Sequence, residues 1–152
     1  MRSAMTTVTL DSSEMLIVGV VAAIGIAALA VAWMFSREVL AASAGTAKMQ
    51  EIAGAIQEGA SAYLSRQFRT LSVFAVVVFF LLLVLPADSS SVRIGRSLFF
   101  LVGAAFSASV GYFGMWLAVR GNVRVTAAAR DSGEQRAMRL AFRTGGVAGM
   151  FT

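Results

Sequence analysis

The chain has 152 residues, of which 58% are hydrophobic and 14% are charged, and its formal net charge is +5. Soluble domains carry about 25% charged residues and leave much of their chain in contact with water, so this composition favours lipid as the solvent. The sequence has no cysteine and no histidine, which excludes disulfides, Cys/His zinc sites, thiol nucleophiles and imidazole catalysis.

The first apolar segment follows a short polar stretch. Residues 1–14 are rich in Ser and Thr and are predicted to form a flexible tail. Residues 15–35 carry no charge and are long enough to cross a hydrocarbon core about 30 Å thick. A cleaved signal peptide is the alternative, but the apolar run is too long for one and only Arg2 precedes it with a positive charge.

A second helix is predicted over residues 48–85. Apolar and small residues recur at spacings of three and four in its first half, at Ile52, Ile56, Gly59 and Tyr63. Its second half, 71–85, consists almost entirely of Leu, Val and Phe, and Pro86 follows directly. The pattern predicts one long helix that starts in water, continues into the membrane and ends at the proline.

A third transmembrane helix is predicted over the uncharged residues 97–119. A small-residue stripe within it, spaced by four and typical of close helix packing, consists of Gly103, Ser107 and Gly111. Residues 120–143 carry six arginines and two acids and are predicted to form a loop. A fourth helix begins over 141–152, and because this piece is too short to span a bilayer, we expect the sequence to be the beginning of a longer protein.

The distribution of positive charge predicts the orientation. Lys and Arg number one in the tail, four in 36–69, two in 87–96 and six in 120–143. The positive-inside rule places the two richer segments in the cytoplasm and predicts a multi-pass protein of the cell membrane with its N-terminus outside. Because the basic residues flank apolar segments, we predict contact with membrane lipid and no nucleic-acid partner.

Two carboxylate pairs are candidates for holding a metal ion. Glu51 and Glu58 lie seven residues apart, and Asp131 and Glu134 lie three apart in the arginine-rich segment. Hard cations need several converging oxygens, so a solvated helix face is the favoured interpretation of the first pair. Local ion pairs are favoured for the second, with the available partners Arg130, Arg136 and Arg139.

The remaining candidate sites are for binding an anion or for conducting an ion across the membrane. The six arginines could gather an anionic substrate through their paired donors, but topology and lipid headgroups are the favoured explanation. Gly145, Gly146 and Gly149 lack a Walker pattern and indicate helix packing instead. No charged residue lies within a complete span, so no ion pathway is visible. The residues alone predict a scaffold with no catalytic, cofactor-binding or metal-binding residue.

Three segments resemble membrane-bound proton-translocating pyrophosphatases. AIQEGASAYLSRQFRT (55–70) is similar to the start of that family's second helix, and GYFGMWLAVRGNVRVTAAAR (111–130) to the end of its third helix and the following loop. AMRLAFRTGGVAGMF (137–151) resembles the beginning of its fourth helix. The three segments keep the family's order and spacing, and the resemblance identifies the chain as an N-terminal fragment of such a pump.

The resemblance implies an all-α integral membrane protein: three complete transmembrane helices and the start of a fourth, from a homodimer of sixteen-helix subunits. It implies Mg²⁺-dependent hydrolysis of pyrophosphate at the cytoplasmic side, coupled to proton export, and it leaves a potassium requirement open. The family's catalytic cluster lies in later helices, so no catalytic residue is carried over. The residues that match the family's helix motifs are interpreted as structural: Glu58, Tyr63, Arg66, Gln67, Arg120, Asn122, Arg124 and Arg130.

Two alternatives remain beside the proton pump. A sodium-pumping member of the same family would be distinguished only by residues beyond Thr152. A small non-enzymatic membrane scaffold or transporter subunit belongs to a different class. The fragment alone is predicted to be inactive in hydrolysis, since its acids are scattered.

Overall fold

The computed structural model describes residues 12–152, which form four helices. They are α1 (Ser12–Ala41), α2 (Ala47–Val84), α3 (Ser90–Ser132) and α4 (Glu134–Phe151). The predicted all-α class is confirmed. Most of the predicted flexible tail, residues 1–11, lies outside the described residues, and residues 12–14 belong to the first turn of α1.

Helices α1, α2 and α3 are long and apolar enough to cross a membrane, as predicted. With 38 and 43 residues, α2 and α3 are about 57 and 65 Å long at about 1.5 Å per residue. A hydrocarbon core of about 30 Å accommodates only half of either helix. The amphipathic start of α2 and the charged end of α3 therefore project beyond the apolar layer.

Several predicted boundaries need correction. Helix α1 continues past residue 35 to Ala41, α3 begins at Ser90 rather than 97, and α4 begins at Glu134 rather than 141. The loop predicted over 120–143 is wrong, because that segment is helical except for a break at Gly133 with a φ of +88°. Charges end an apolar span without ending a helix, since Ala and Arg are strong helix formers.

The short connections end the helices through local chemistry. Gly45 adopts a φ of +76°, which glycine tolerates without a steric cost, and the Thr46 hydroxyl then accepts a hydrogen bond from the Met49 amide at 3.3 Å to start α2. At the other connection Leu85 is extended before Pro86, as proline requires of its predecessor. The Ser89 hydroxyl caps α3 by accepting from the Val92 amide at 3.3 Å.

Arg96 ties α2 and α3 into an antiparallel hairpin. Its Nη2 donates to the carbonyl oxygen of Leu82 at 2.7 Å and to that of Leu85 at 3.1 Å. These carbonyls lie at the C-terminal end of α2, where the helix leaves acceptors unpaired and carries partial negative charge. The Arg96 guanidinium supplies hydrogen bonds to the unpaired carbonyls and a positive charge near the negative helix end. Arg96 therefore stabilises the turn.

Helix α3 packs against α2 along one side and α4 along another, and α1 packs mainly on α4. The buried core lies where α1, α3 and α4 meet, and its members are Ala32, Val39, Leu117, Ala128, Ala137, Leu140 and Val147. Almost no residue in the most apolar stretches of α1, α2 and α3 is buried. The water-excluding core is therefore at the arginine-rich end, and the apolar stretches present their side chains outward, as contact with lipid requires.

Helices α3 and α4 pack closely at Gly121, which the sequence did not single out. A Cβ at this position would lie 2.7 Å from Thr144 Cγ2, and one at Gly114 would lie 3.9 Å from Ala148 Cβ. Gly114 and Gly121 are seven residues apart and share a face of α3. This spacing in the sequence could have predicted a close helix contact there. By contrast, a Cβ at Gly103 or Gly111 would have no atom of the described residues within 4 Å, so the contact predicted for that stripe stays a prediction.

Candidate functional site

The structure brings the two arginine-rich segments to the same end of the bundle. Arg124 of α3 reaches the Leu40 carbonyl near the end of α1, and Arg130 lies 3.8 Å from the sulfur of Met49 near the start of α2. Arg96 and the other connection lie at the opposite end of the α2–α3 hairpin. The fold thus collects positive charge at one end, as the predicted topology requires.

The Arg120 side chain contacts its own helix α3, whereas that of Arg124 also reaches α1. The Arg120 guanidinium lies 4.3 Å from the centre of the Trp116 ring and donates to the Trp116 carbonyl at 3.2 Å. Arg124 donates from Nε to the Leu40 carbonyl at 3.3 Å and from Nη1 to the Arg120 carbonyl at 2.7 Å. Arg124 therefore joins α3 to the C-terminal end of α1, in agreement with the structural role predicted for this motif.

A second interhelical contact joins α1 to α4. Arg143 forms an ion pair with Glu38, and its guanidinium lies 5.2 Å from the centre of the Phe35 ring. The Arg143 side chain is 24% exposed and that of Glu38 is 48% exposed. No local pattern in the sequence indicates this pair, because its partners are far apart in the chain and only tertiary packing brings them together.

A cavity of about 700 Å³ lies beside this contact. The α1 side contributes Glu38, Ala41 and Ala42, and the beginning of α4 contributes three arginines spaced by three and four: Arg136, Arg139 and Arg143. Such spacing places all three on one face of the helix. Ser132 and Gln135 add neutral polar groups to the lining.

The acidic residues at this end are dispersed. Glu51 pairs with Lys48 at 2.9 Å, and Asp131 accepts from Arg130 at 2.6 Å, a hydrogen bond that lowers the pKa of Asp131. The predicted local pairing of Asp131 is therefore confirmed, with Arg130 as its partner. Glu134 lies across the break at Gly133, in α4. Within residues 12–152 no three acids, histidines or cysteines gather as a metal site would require, so this donor set does not fit Mg²⁺.

The motif residues of α2 lie on its surface. The side chains of Glu58, Tyr63, Arg66 and Gln67 are exposed in the described chain. The face of α2 toward α3 instead contributes smaller and apolar residues, among them Ala60, Leu64 and Phe68, to a cavity beside Trp116. A structural role for the four exposed residues stays a prediction.

Comparison with known proteins agrees with the resemblance in the sequence. The family described as inorganic H+ pyrophosphatase matches residues 26–152. The chain belongs to this family. Together with three apolar helices, membership makes it a multi-pass membrane protein.

Relatives with high identity are ion pumps by name. A Streptomyces coelicolor protein named "K(+)-insensitive pyrophosphate-energized proton pump" is 59% identical over 90% of the chain, and a Streptomyces avermitilis protein of the same name is 56% identical over 99%. A Clostridium tetani protein, a "Putative K(+)-stimulated pyrophosphate-energized sodium pump", is 40% identical over 83%. The chain spans 19%, 20% and 18% of their respective lengths, so it is similar to only about a fifth of each pump.

Proposed function

We propose that the chain is part of an ion-translocating inorganic pyrophosphatase that couples cytoplasmic hydrolysis of pyrophosphate to proton export. The observation that carries this proposal is the family match over residues 26–152. It is supported by two relatives at 59% and 56% identity whose names describe proton pumps energised by pyrophosphate. The assembled pump is a homodimer in the cell membrane that uses Mg²⁺, as the family resemblance implies.

Within that pump the chain serves as helical scaffold. Arg124 and Arg143 connect α1 to α3 and α4, and Arg96 closes the α2–α3 hairpin. Arg96 and Arg124 donate to backbone carbonyls and Arg143 pairs with a carboxylate of the same chain, which favours a supporting role over substrate binding. Since the carboxylates of the described residues do not fit Mg²⁺, we place the hydrolytic centre on residues that this chain does not contribute.

Protons are the favoured transported ion. Two relatives at 59% and 56% identity are named as potassium-insensitive proton pumps, whereas a relative named as a putative sodium pump is 40% identical. The same names favour activity that does not require potassium. Sodium transport is the alternative, and it is distinguished by measuring pyrophosphate-dependent uptake of ²²Na⁺ against acidification in the same vesicles.

The functional test is a chimera. We expect the isolated chain in membranes to release no phosphate from magnesium pyrophosphate above empty membranes, because hydrolysis needs clustered carboxylates around the metal. We expect a Streptomyces coelicolor pump in which this chain replaces the matching segment to hydrolyse pyrophosphate and acidify vesicles. The measurement is phosphate release alongside quenching of a pH-sensitive dye.

Two outcomes would contradict these expectations. Turnover by the isolated chain would overturn the scaffold role. A chimera that assembles in the membrane as the parent pump does, but neither hydrolyses pyrophosphate nor acidifies vesicles, would count against the pump assignment. The parent pump is the positive control, and the same pump without the segment is the negative one.

The proposed orientation places the N-terminus outside and the arginine-rich end in the cytoplasm. Since the sequence has no cysteine, single cysteines introduced as Ser90→Cys and Ala44→Cys report one side each. In intact cells an impermeant maleimide should label the first variant and spare the second, while both should react after permeabilisation. Labelling of Ala44→Cys alone in intact cells would reverse the orientation.

A further inference from the structure

Two of the arginines that line the cavity between α1 and α4 form no ion pair within the described residues. Arg143 is matched by Glu38, but within residues 12–152 the side chains of Arg136 and Arg139 make no ion pair or hydrogen bond. Both are exposed and both line the cavity. The lining thus contains three arginines and one carboxylate. It also contains the apolar residues Ala41, Ala42 and Leu140.

The cavity lies at the depth of lipid headgroups. The apolar stretch of α1 ends at Phe35, Glu38 and Ala41 follow it on the same helix, and Ala42 comes directly after the helix. They lie about 5–10 Å further along the axis at about 1.5 Å per residue. The headgroup layer extends about 5–8 Å beyond each side of the hydrocarbon core. An anion in this cavity would therefore lie where phospholipid phosphates lie.

We propose that this cavity binds the phosphate headgroup of an anionic phospholipid, with Arg136 and Arg139 as its principal ligands. Paired guanidinium donors suit phosphate oxygens, which they can bind two at a time. The acyl chains would follow α1 into the membrane, where its most apolar stretch is almost entirely exposed. A free phosphate or pyrophosphate shares the headgroup chemistry. It has no apolar part, however, that would contact the alanine and leucine side chains of the cavity or enter the membrane beside it. The site is separate from pump activity and does not depend on it.

The test measures lipid selectivity of the purified 152-residue chain in detergent. Native mass spectrometry gives the affinities for phosphatidylglycerol and phosphatidylcholine, and their ratio is the readout for variants whose circular dichroism shows that the helices are kept. Arg136→Gln with Arg139→Gln should lower the preference for phosphatidylglycerol about thirtyfold, because each arginine contact that is lost weakens binding of the headgroup by a factor of slightly more than about five. Arg136→Lys with Arg139→Lys should lower the preference by a smaller factor, because the charge is kept while the paired guanidinium donors are lost.

The matched control is Arg66→Gln with Arg69→Gln on α2. These arginines have the same spacing, are exposed and flank the second apolar span, but they line no described cavity with α4. We expect this pair of changes to alter the ratio less than about threefold. An equal effect of the two double variants would overturn the proposal by showing that net charge alone attracts the lipid.

Two further results would also overturn it. Equal affinity of the unmodified chain for phosphatidylcholine would show that the cavity does not recognise anionic lipid. Displacement of phosphatidylglycerol by inorganic pyrophosphate or phosphate, with the same dependence on Arg136 and Arg139, would assign the cavity to a free anion.

Discussion

Gly121→Val is expected to force α3 and α4 apart and to destabilise the folded chain by roughly 1–3 kcal/mol, the usual cost of overpacking. A Cβ at residue 121 would lie 2.7 Å from Thr144 Cγ2 and 2.8 Å from Thr144 Oγ1. Thr144 has little freedom to move aside, because its hydroxyl donates to the Leu140 carbonyl at 2.8 Å. Because the two helices meet here at a residue that has no side chain, the added branch removes the close contact itself.

The separation can be measured directly with a disulfide. A Cβ at Gly114 would lie 3.9 Å from Ala148 Cβ, a separation typical of disulfides, so Gly114→Cys with Ala148→Cys should cross-link α3 to α4. Adding Gly121→Val should lower the yield and the resistance to denaturant. Gly103→Val is the control on the same helix, since a Cβ there has no neighbour within 4 Å. Unchanged cross-linking with Gly121→Val would refute the close approach.

Glu38→Gln is expected to weaken the docking of α1 on α4 by about 1–2 kcal/mol. The change leaves Arg143, whose side chain is only 24% exposed, without its carboxylate while it remains packed near Phe35. Fully buried pairs lose about 3–5 kcal/mol when one partner is removed and exposed pairs about 1 kcal/mol or less. Because Glu38 is 48% exposed, the expected value lies toward the lower figure.

A double-mutant cycle isolates this interaction. Glu38→Gln and Arg143→Gln, singly and together, give a coupling free energy from unfolding in denaturing detergent. The control cycle uses Lys48→Gln and Glu51→Gln, an ion pair whose side chains are 72% and 68% exposed. We expect coupling below about 0.5 kcal/mol for the control pair. Coupling at Glu38 and Arg143 no larger than this would mean that their contact does not hold α1 on α4.

The arginines show how one sequence feature carries more than one physical role. Their uneven distribution predicts orientation, and this interpretation needs no contact between them. In the structure Arg96 and Arg124 also donate to carbonyls at the ends of other helices, and Arg143 forms an ion pair with a carboxylate on α1. Charge counting detects only the first role, because the partner of Arg124 lies 84 residues away in the chain and that of Arg143 lies further still. The two roles are compatible, since a helix end at the membrane surface needs both a charge and a donor.

The sequence predicts a helix boundary correctly where a residue such as proline stops the helical backbone, and it fails where only the hydropathy changes. Pro86 stops α2 and prevents its continuation, so the predicted 48–85 differs by one residue at each end from the observed Ala47–Val84. At 119 the apolar run stops without such a signal, and α3 continues for 13 more residues to Ser132. Hydropathy reports the solvent around a helix, whereas helical backbone bonds extend through charged residues as readily as through apolar ones.

The sequence by itself determined the lipid setting, the number of spans and the family, because each of these depends on composition or on short local motifs that are independent of packing. It also indicated that the acids are too scattered for a metal cluster. Only the tertiary structure decided that α3 packs closely on α4 at Gly121 and that Glu38 pairs with Arg143. It alone placed Arg136 and Arg139 around a cavity beside α1. These features arise between residues distant in the chain, and their geometry depends on how α1, α3 and α4 cross, which periodicity within one helix does not specify.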